Sequence, residues 1–208
     1  MILQNMGKKI ESNLKNMILS LALISLAASA ALGMVYNLTK GPIEQASKAK
    51  EVSAITEVLP KFDNDPTASS KTTDGLTLYT GSQADQPVGT AIKTFTEKGF
   101  SGRFSLMVGF MPDGTIHNIS VLDQKETPGL GAKMKEDKFK NQFVGKNPGA
   151  FKLLVKKDGG DVDAITAATI SSRAYCDAVQ KAYDLWKAQL TDGSSNTSAA
   201  DSLKGVNQ

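Results

Sequence analysis

From Met17 to Tyr36 the chain carries no charged residue. At helical rise such a stretch spans about 30 Å, the thickness of a bilayer's hydrocarbon core. It predicts a membrane-spanning helix over 17–36. Lys8, Lys9 and Lys15 precede it, and Tyr36 stands at its far end like an interfacial aromatic. The basic flank places residues 1–16 in the cytoplasm and the rest of the chain outside, a single-pass protein of the cell (inner) membrane with a periplasmic or other extracytoplasmic domain. Lys40, Lys48 and Lys50 follow the span, so the charge asymmetry is modest. A cleaved signal peptide is the rival, because Ala28-Ser29-Ala30 resembles a cleavage site. Against it, the apolar run continues to Val35, past the roughly 7–15 residues of a signal core. Both alternatives export the remaining chain. A buried soluble helix is disfavoured by the N-terminal position and the basic flank. Ala27 and Ala31, or Ser29 and Gly33, could pack closely on partner helices.

The remainder of the 208 residues suffices for one domain with a sizeable core. Hydrophobic residues make up 40% and charged residues 22%, a globular composition. Net charge is +3, and Arg occurs only at 103 and 173. There is no basic, aromatic-interleaved stripe for nucleic acid. One Cys (Cys176) and one His (His117) exclude a disulfide framework, an all-protein Fe–S site and a Cys/His zinc site. Redox chemistry would need a bound organic cofactor.

Periodicity predicts a helix from Pro42 to Leu59, with apolar residues at Ile43, Ala46, Ala49, Val52, Ile55 and Val58 and Pro42 in its first turn. Leu59 and Phe62 could tuck onto the core. Phe62 to Asp74 reads as a loop. Leu76–Thr80 and Val88–Phe95 read as strands. Phe104–Met111 and Ile116–Leu122 flank Pro112-Asp113-Gly114-Thr115, the best hairpin signal in the chain. His117 then belongs on a sheet surface. Lys133–Phe143 reads as an amphipathic helix with Met134, Phe139 and Phe143 on its apolar side, and Phe151–Val155 as a short strand. A helix from about Thr169 to Leu190 closes the domain, and residues 191–208 read as a flexible polar tail. The fold class is α+β: a transmembrane helix, then one domain (41–190) of antiparallel sheet with flanking helices.

Before that last helix stands Asp163-Ala164-Ile165-Thr166-Ala167-Ala168-Thr169-Ile170-Ser171-Ser172. A hydroxyl cluster at a helix N-terminus meets orphan N–H groups and the positive end of the helix dipole, which favour a phosphate. The plainer alternative makes Thr166 or Thr169 an N-cap. Asp-x-x-Thr-x-Ala-Thr followed by a hydroxyl-rich helix start resembles the flavinylation motif of the FMN-binding domain family. That family includes the G subunit of the Rnf electron-transport complex and the C subunit of the sodium-translocating NADH:quinone reductase. The resemblance implies that Thr169 is esterified to the phosphate of FMN by a dedicated flavin transferase. Ala167 stands where the family's motif has Gly. If the backbone there needs positive φ, Ala is strained; if it is already helical, Ala is the better residue.

Gln124-Lys125-Glu126-Thr127-Pro128-Gly129-Leu130-Gly131 follows the hairpin. Physically it is a turn whose glycines permit close approach, either of another chain segment or of a planar ligand. Glu-Thr-Pro-Gly-Leu-Gly also resembles the same family, in which this loop lies near the flavin. The resemblance covers residues 17 to 190. It implies polar contacts from Glu126 and Thr127, an apolar wall from Leu130, a recognition role for Asp163, and phosphate-side groups at Thr166, Ala168, Ser171 and Ser172. Lys133 is a weaker candidate for charge near the flavin.

The implied function is that of a membrane-anchored flavoprotein within an ion-translocating, Rnf-type ferredoxin:NAD oxidoreductase. Electrons would pass through FMN held as a phosphodiester on Thr169, among other membrane subunits. Alternatives are the C subunit of the quinone reductase, a non-redox membrane-anchored binding domain, or a flavin-dependent reductase of a small extracytoplasmic acceptor. No Gly-x-Gly-x-x-Gly follows a strand, so the chain has no motif for binding NAD by itself.

Overall fold

The computed structural model describes residues 13–201, with side chains through residue 190. Lys8, Lys9 and the end of the tail lie outside the described residues. Contacts divide the chain into two units, Met1–Ala49 and Lys50–Gln208.

The first helix, α1 (Leu14–Val58), is one helix long and apolar enough to cross a membrane. It includes Pro42 in its interior, not at the first turn of a separate helix. Pro there removes one helical hydrogen bond and Gly41 before it is a poor helix former, yet Glu44, Gln45 and Ala46 beyond them favour the helix and it continues.

In the second unit five strands form an antiparallel meander: β1 (Lys71–Thr73), β2 (Leu76–Gln83), β3 (Gln86–Gly99), β4 (Gly102–Phe110) and β5 (Ile116–Asp123), in that spatial order. Four of the five expected strands are present, and β1 adds a short edge strand where a loop was expected. The Pro112–Thr115 turn closes β4 onto β5, with Met111 N–H donating to Thr115 O at 2.8 Å and Asp113 Oδ1 accepting the Thr115 N–H at 2.9 Å. Alternation along β4 aims Phe104, Leu106, Val108 and Phe110 at one face and Met107 at the other.

Each face is covered by a helix. The closing helix α3 (Thr169–Asp201) buries Tyr175, Ala178, Val179, Ala182 and Trp186 against the first face. The last turns of α1 lay Ala54, Ile55 and Val58 on Tyr79, Ala91 and Met107 of the second, with Leu59 just past the helix and Phe62 tucked beside them. Gly109 makes that approach possible: a Cβ there would lie 1.9 Å from Val58 O. α3 runs past Leu190, where polar composition suggested an end; Gly193 alone, at about 1 kcal/mol, does not stop it.

Two expected elements take other forms. Over 133–143 there is a 3₁₀ turn η1 (Gly131–Lys135), then a one-turn helix α2 (Asp137–Lys140), separated by Glu136 in extended conformation. The spacing explains it. Met134 and Phe139 are five residues apart and cannot share one continuous helical face; the break at Glu136 lets both be buried. Over 151–155 there is no strand. Leu153 and Val155 are buried and Leu154 exposed, a true alternation, but the only pairing among the described residues is a single parallel bridge from Val155 to Val162.

Candidate functional site

α3 starts at Thr169, so the cap position falls on Ala168, whose methyl cannot cap. Neither Thr166 nor Thr169 makes a side-chain hydrogen bond among the described residues, so the N-cap alternative does not hold for either. The cap work is done from inside the helix. Ser172 Oγ accepts the Ile165 N–H at 2.9 Å and donates to Ala168 O at 3.0 Å. The N–H groups of Thr169, Ile170 and Ser171 find no partner among the described residues. A half-buried threonine hydroxyl without an internal role thus stands beside three orphan donors at the positive end of a long helix.

The backbone entering the helix is strained. Ala167 has φ +59°, in the left-handed region that favours glycine. Of the two alternatives for this position, positive φ is the one realised. The turn is needed because Ile165 must plunge into the core, 8% exposed, and the chain must then reverse into α3.

Thr169 opens onto a cleft of about 320 Å³ lined by Phe100, Glu126, Thr127, Leu130, Gly131 and residues 167–171. The two motifs therefore meet in space. Glu126, 4% exposed, holds them together. Its Oε2 accepts the Ser171 hydroxyl at 2.8 Å, and its Oε1 accepts the Ser101 N–H at 3.2 Å from the β3–β4 turn. Gly131 serves this packing: a Cβ there would lie 2.6 Å from both Glu126 Oε2 and Ser171 Oγ. Its close approach is to protein. Gly129, with φ +77° and open space around it, turns the chain.

Not every sequence candidate reaches this cleft. Asp163 and Thr166 line a separate depression of about 430 Å³, together with Lys133 and Gln142. Asp163 is exposed; its Oδ2 pairs with Lys156 Nζ at 2.7 Å and its N–H donates to Gln142 Oε1 at 2.7 Å. Glu126, Thr127, Leu130, Ala168, Thr169 and Ser171 do converge. Phe100 and Ile170 line the same cleft and were not singled out from the sequence. The signal for Phe100 was present: a large aromatic on a turn bracketed by Gly99 and Gly102, where burial is hard to arrange.

On the other side of Ile170 lies a wider groove of about 660 Å³, bordered by Phe151, Leu154, Arg173 and Asp177. Four of its five charged side chains are paired among the described residues, Lys152 being the exception. Arg173 grips Asp158 through two bonds of 2.7 and 2.8 Å, which hold the Asp158 carboxyl below its ordinary range. Asp177 bonds Lys98 at 2.5 Å and Lys181 at 3.1 Å. Partial burial works against the Asp177 charge, and the bonds from Lys98, Lys181 and Thr96 outweigh it, so its carboxyl too lies below the ordinary range. Burial pushes the Cys176 thiol up to about 12, which leaves it protonated and unreactive at neutral pH.

Residues 99–184 match the FMN-binding domain family. The G subunit of the ion-translocating oxidoreductase complex of Shewanella baltica is 34% identical over 178 residues, covering 78% of this chain and 84% of that protein. The chain belongs to this G-subunit family. The corresponding G subunit of Methanosarcina acetivorans is also 34% identical, over 83% of this chain and 94% of its own length. That of Aliivibrio fischeri is 32% identical over 85% of this chain and 91% of its own. Among solved structures, the C subunit of the Na⁺-translocating NADH-quinone reductase from Parabacteroides distasonis is 23% identical, with a TM-score of 0.46, covering 64% of this chain and 79% of that one.

The residues at the cleft fit FMN. A phosphate is an acceptor-rich anion, and the first turn of α3 offers unpaired N–H donors. A planar ring needs apolar walls, and Phe100, Leu130 and Ile170 supply them.

Proposed function

We propose that this member of the G-subunit family carries FMN on Thr169 through a phosphodiester and relays electrons within a membrane-bound, Rnf-type ion-translocating oxidoreductase. The supporting observation is the Thr169 side chain itself: half-buried at a helix start, without a hydrogen bond among the described residues, next to N–H groups that likewise find no partner among them, and in one cleft with the Glu126–Gly131 loop. A flavin transferase would act once, during maturation. Thr169 Oγ–P forms as the pyrophosphate bond of FAD breaks, AMP leaves, and the hydroxyl proton is released. No electron moves in that step.

When bound, the flavin supplies the one-electron chemistry. The chain supplies position. The α3 N-terminus neutralises part of the phosphodiester charge, Glu126 holds the loop and the helix in register, and the apolar walls exclude water from one side of the ring. Asp163 and Thr166, in their separate depression, suit recognition by the transferase better than contact with the cofactor. The α1 span anchors the domain beside the other membrane subunits, with the N-terminus cytoplasmic and the flavin domain outside.

The test is in-gel flavin fluorescence of the full chain, denatured, after co-expression with a flavin transferase. The parent gives a fluorescent band and Thr169→Val gives none, while circular dichroism of the two is the same. Val is nearly isosteric with Thr, so a folded Thr169→Val protein that still carries covalent flavin would move the attachment elsewhere. A dark parent beside an active transferase would favour a non-redox binding domain.

A further inference from the structure

Phe100 is 67% exposed at the tip of the β3–β4 hairpin, a costly position for a phenyl ring unless something covers it. Single exposed apolar residues are ordinary, but Phe100 is not alone. Leu130, 40% exposed, and Ile170, 49% exposed, line the same cleft from two other segments, the second-motif loop and the first turn of α3. Three separate parts of the chain thus bring apolar side chains to the cleft that holds the Thr169 hydroxyl.

The hairpin tip is also held in place. Gly99 pairs with Gly102 across the turn, Gly102 takes φ +93°, and the Ser101 N–H is fixed by Glu126 Oε1 at 3.2 Å. Glu126 is the carboxylate whose other oxygen bonds Ser171 in the first turn of α3. One buried side chain therefore sets the position of the turn bearing Phe100 against the helix bearing Thr169. A mere surface turn has no need of such a brace.

Ile170 divides this cleft from the wider groove bordered by Phe151 and Leu154, so a ring tethered at residue 169 has two places to go. Two features choose between them. Thr169 lines only the smaller cleft. Phe100 and Leu130 also line that cleft and not the wider groove.

We infer that Phe100 is a ring-contact residue: with Leu130 and Ile170 it packs against the planar ring of the flavin tethered at Thr169, and Glu126 positions it there. The inference rests on the proposed attachment of FMN and goes beyond it, by assigning the ring's place and the aromatic that holds it. Aromatic rings favour offset stacking on a planar partner, which would restrict rotation of the ring about its ribityl tether and shield one face from water.

The experiment uses the full chain in detergent, flavinylated by co-expressed transferase, with variants Phe100→Ala, Phe100→Tyr and Leu154→Ala. In-gel fluorescence first measures covalent FMN in each. In native protein, flavin fluorescence anisotropy and quenching by iodide then report the ring's freedom and exposure. Expected is unchanged covalent FMN in all four proteins, a marked fall in anisotropy and a several-fold rise in iodide quenching for Phe100→Ala, and parental behaviour for Phe100→Tyr and Leu154→Ala. Parental behaviour of Phe100→Ala overturns the inference while the attachment stands. A response to Leu154→Ala without one to Phe100→Ala places the ring in the wider groove and likewise overturns it. A parent without covalent flavin overturns the attachment, and this inference with it. Since Phe100 is largely exposed, its substitution leaves the core intact, and Phe100→Tyr controls for the turn.

Discussion

At residue scale the site depends on one backbone conformation. Ala167 sits at φ +59°, where an L-residue costs about 1–2 kcal/mol relative to the right-handed regions. Ala167→Gly removes that strain but gives the unfolded chain more freedom, worth about 0.4–1 kcal/mol in the opposite direction. The expected outcome is a gain of between about 0 and about 1.6 kcal/mol in a denaturant titration, with covalent flavin retained. A clear loss of stability would mean that the Ala167 methyl makes a packing contribution larger than its strain. Thr169 and Ala168 were legible from the motif. The sign of φ at Ala167 was not, because both alternatives were sterically allowed and only the burial of Ile165 decides the direction of the turn.

At the scale of elements, the two motifs work as one unit because Glu126 bridges them. A Cβ at Gly131 has no room, since Glu126 Oε2 and Ser171 Oγ both lie 2.6 Å from where it would be. Gly131→Ala should therefore separate the carboxylate from the hydroxyl and leave buried polar groups unsatisfied, at about 1–3 kcal/mol. Thermal unfolding should show the loss, and amide hydrogen exchange should show it concentrated in the first turn of α3. Uniform loss of protection across the domain would deny Glu126 its local bracing role. Strands β2 to β5 were legible because β-branched and aromatic residues alternate between clear turn signals, whereas β1 fell in an expected loop and the alternation over 151–155 found no strand partner. The segment 133–143 was not, since its apolar residues fit a helix only if the five-residue step from Met134 to Phe139 is ignored.

On the scale of the whole molecule, α3 is fastened to the sheet by its apolar face and by a polar clasp. Asp177 receives Thr96 Oγ1 at 2.9 Å and pairs with Lys98 of β3 and Lys181 of its own helix. Its carboxyl is held below the ordinary range, so the folded state binds this proton less readily than the unfolded state does. The contribution is then complete above the unfolded pKa of about 3.9 and is lost as pH falls further, through the folded pKa. Asp177→Asn should cost about 1 kcal/mol at neutral pH, given the exposure of the lysines. The gap between parent and variant should close in acid. A gap that stays constant down to about pH 3, below the unfolded pKa, would mean the carboxylate charge is not what matters.

What the sequence determined by itself were the features that rest on local chemistry: an uncharged stretch long enough to span a bilayer, strands set by alternation, a turn set by Pro-Asp-Gly, and a hydroxyl cluster at the start of a helix. Each depends mainly on neighbours in the chain. Only the tertiary structure decided which of those hydroxyls are free and which are occupied. Ser171 and Ser172 look equivalent to Thr169 in a string of letters, yet one is taken by Glu126 and the other by Ile165 and Ala168. It also sent Asp163 and Thr166 to a different depression and brought Phe100 to the cleft from a distant hairpin. The physical reason is that the Ser171–Glu126 bond and the cleft walls are long-range choices, made when α3 docks on the sheet and buries its apolar face.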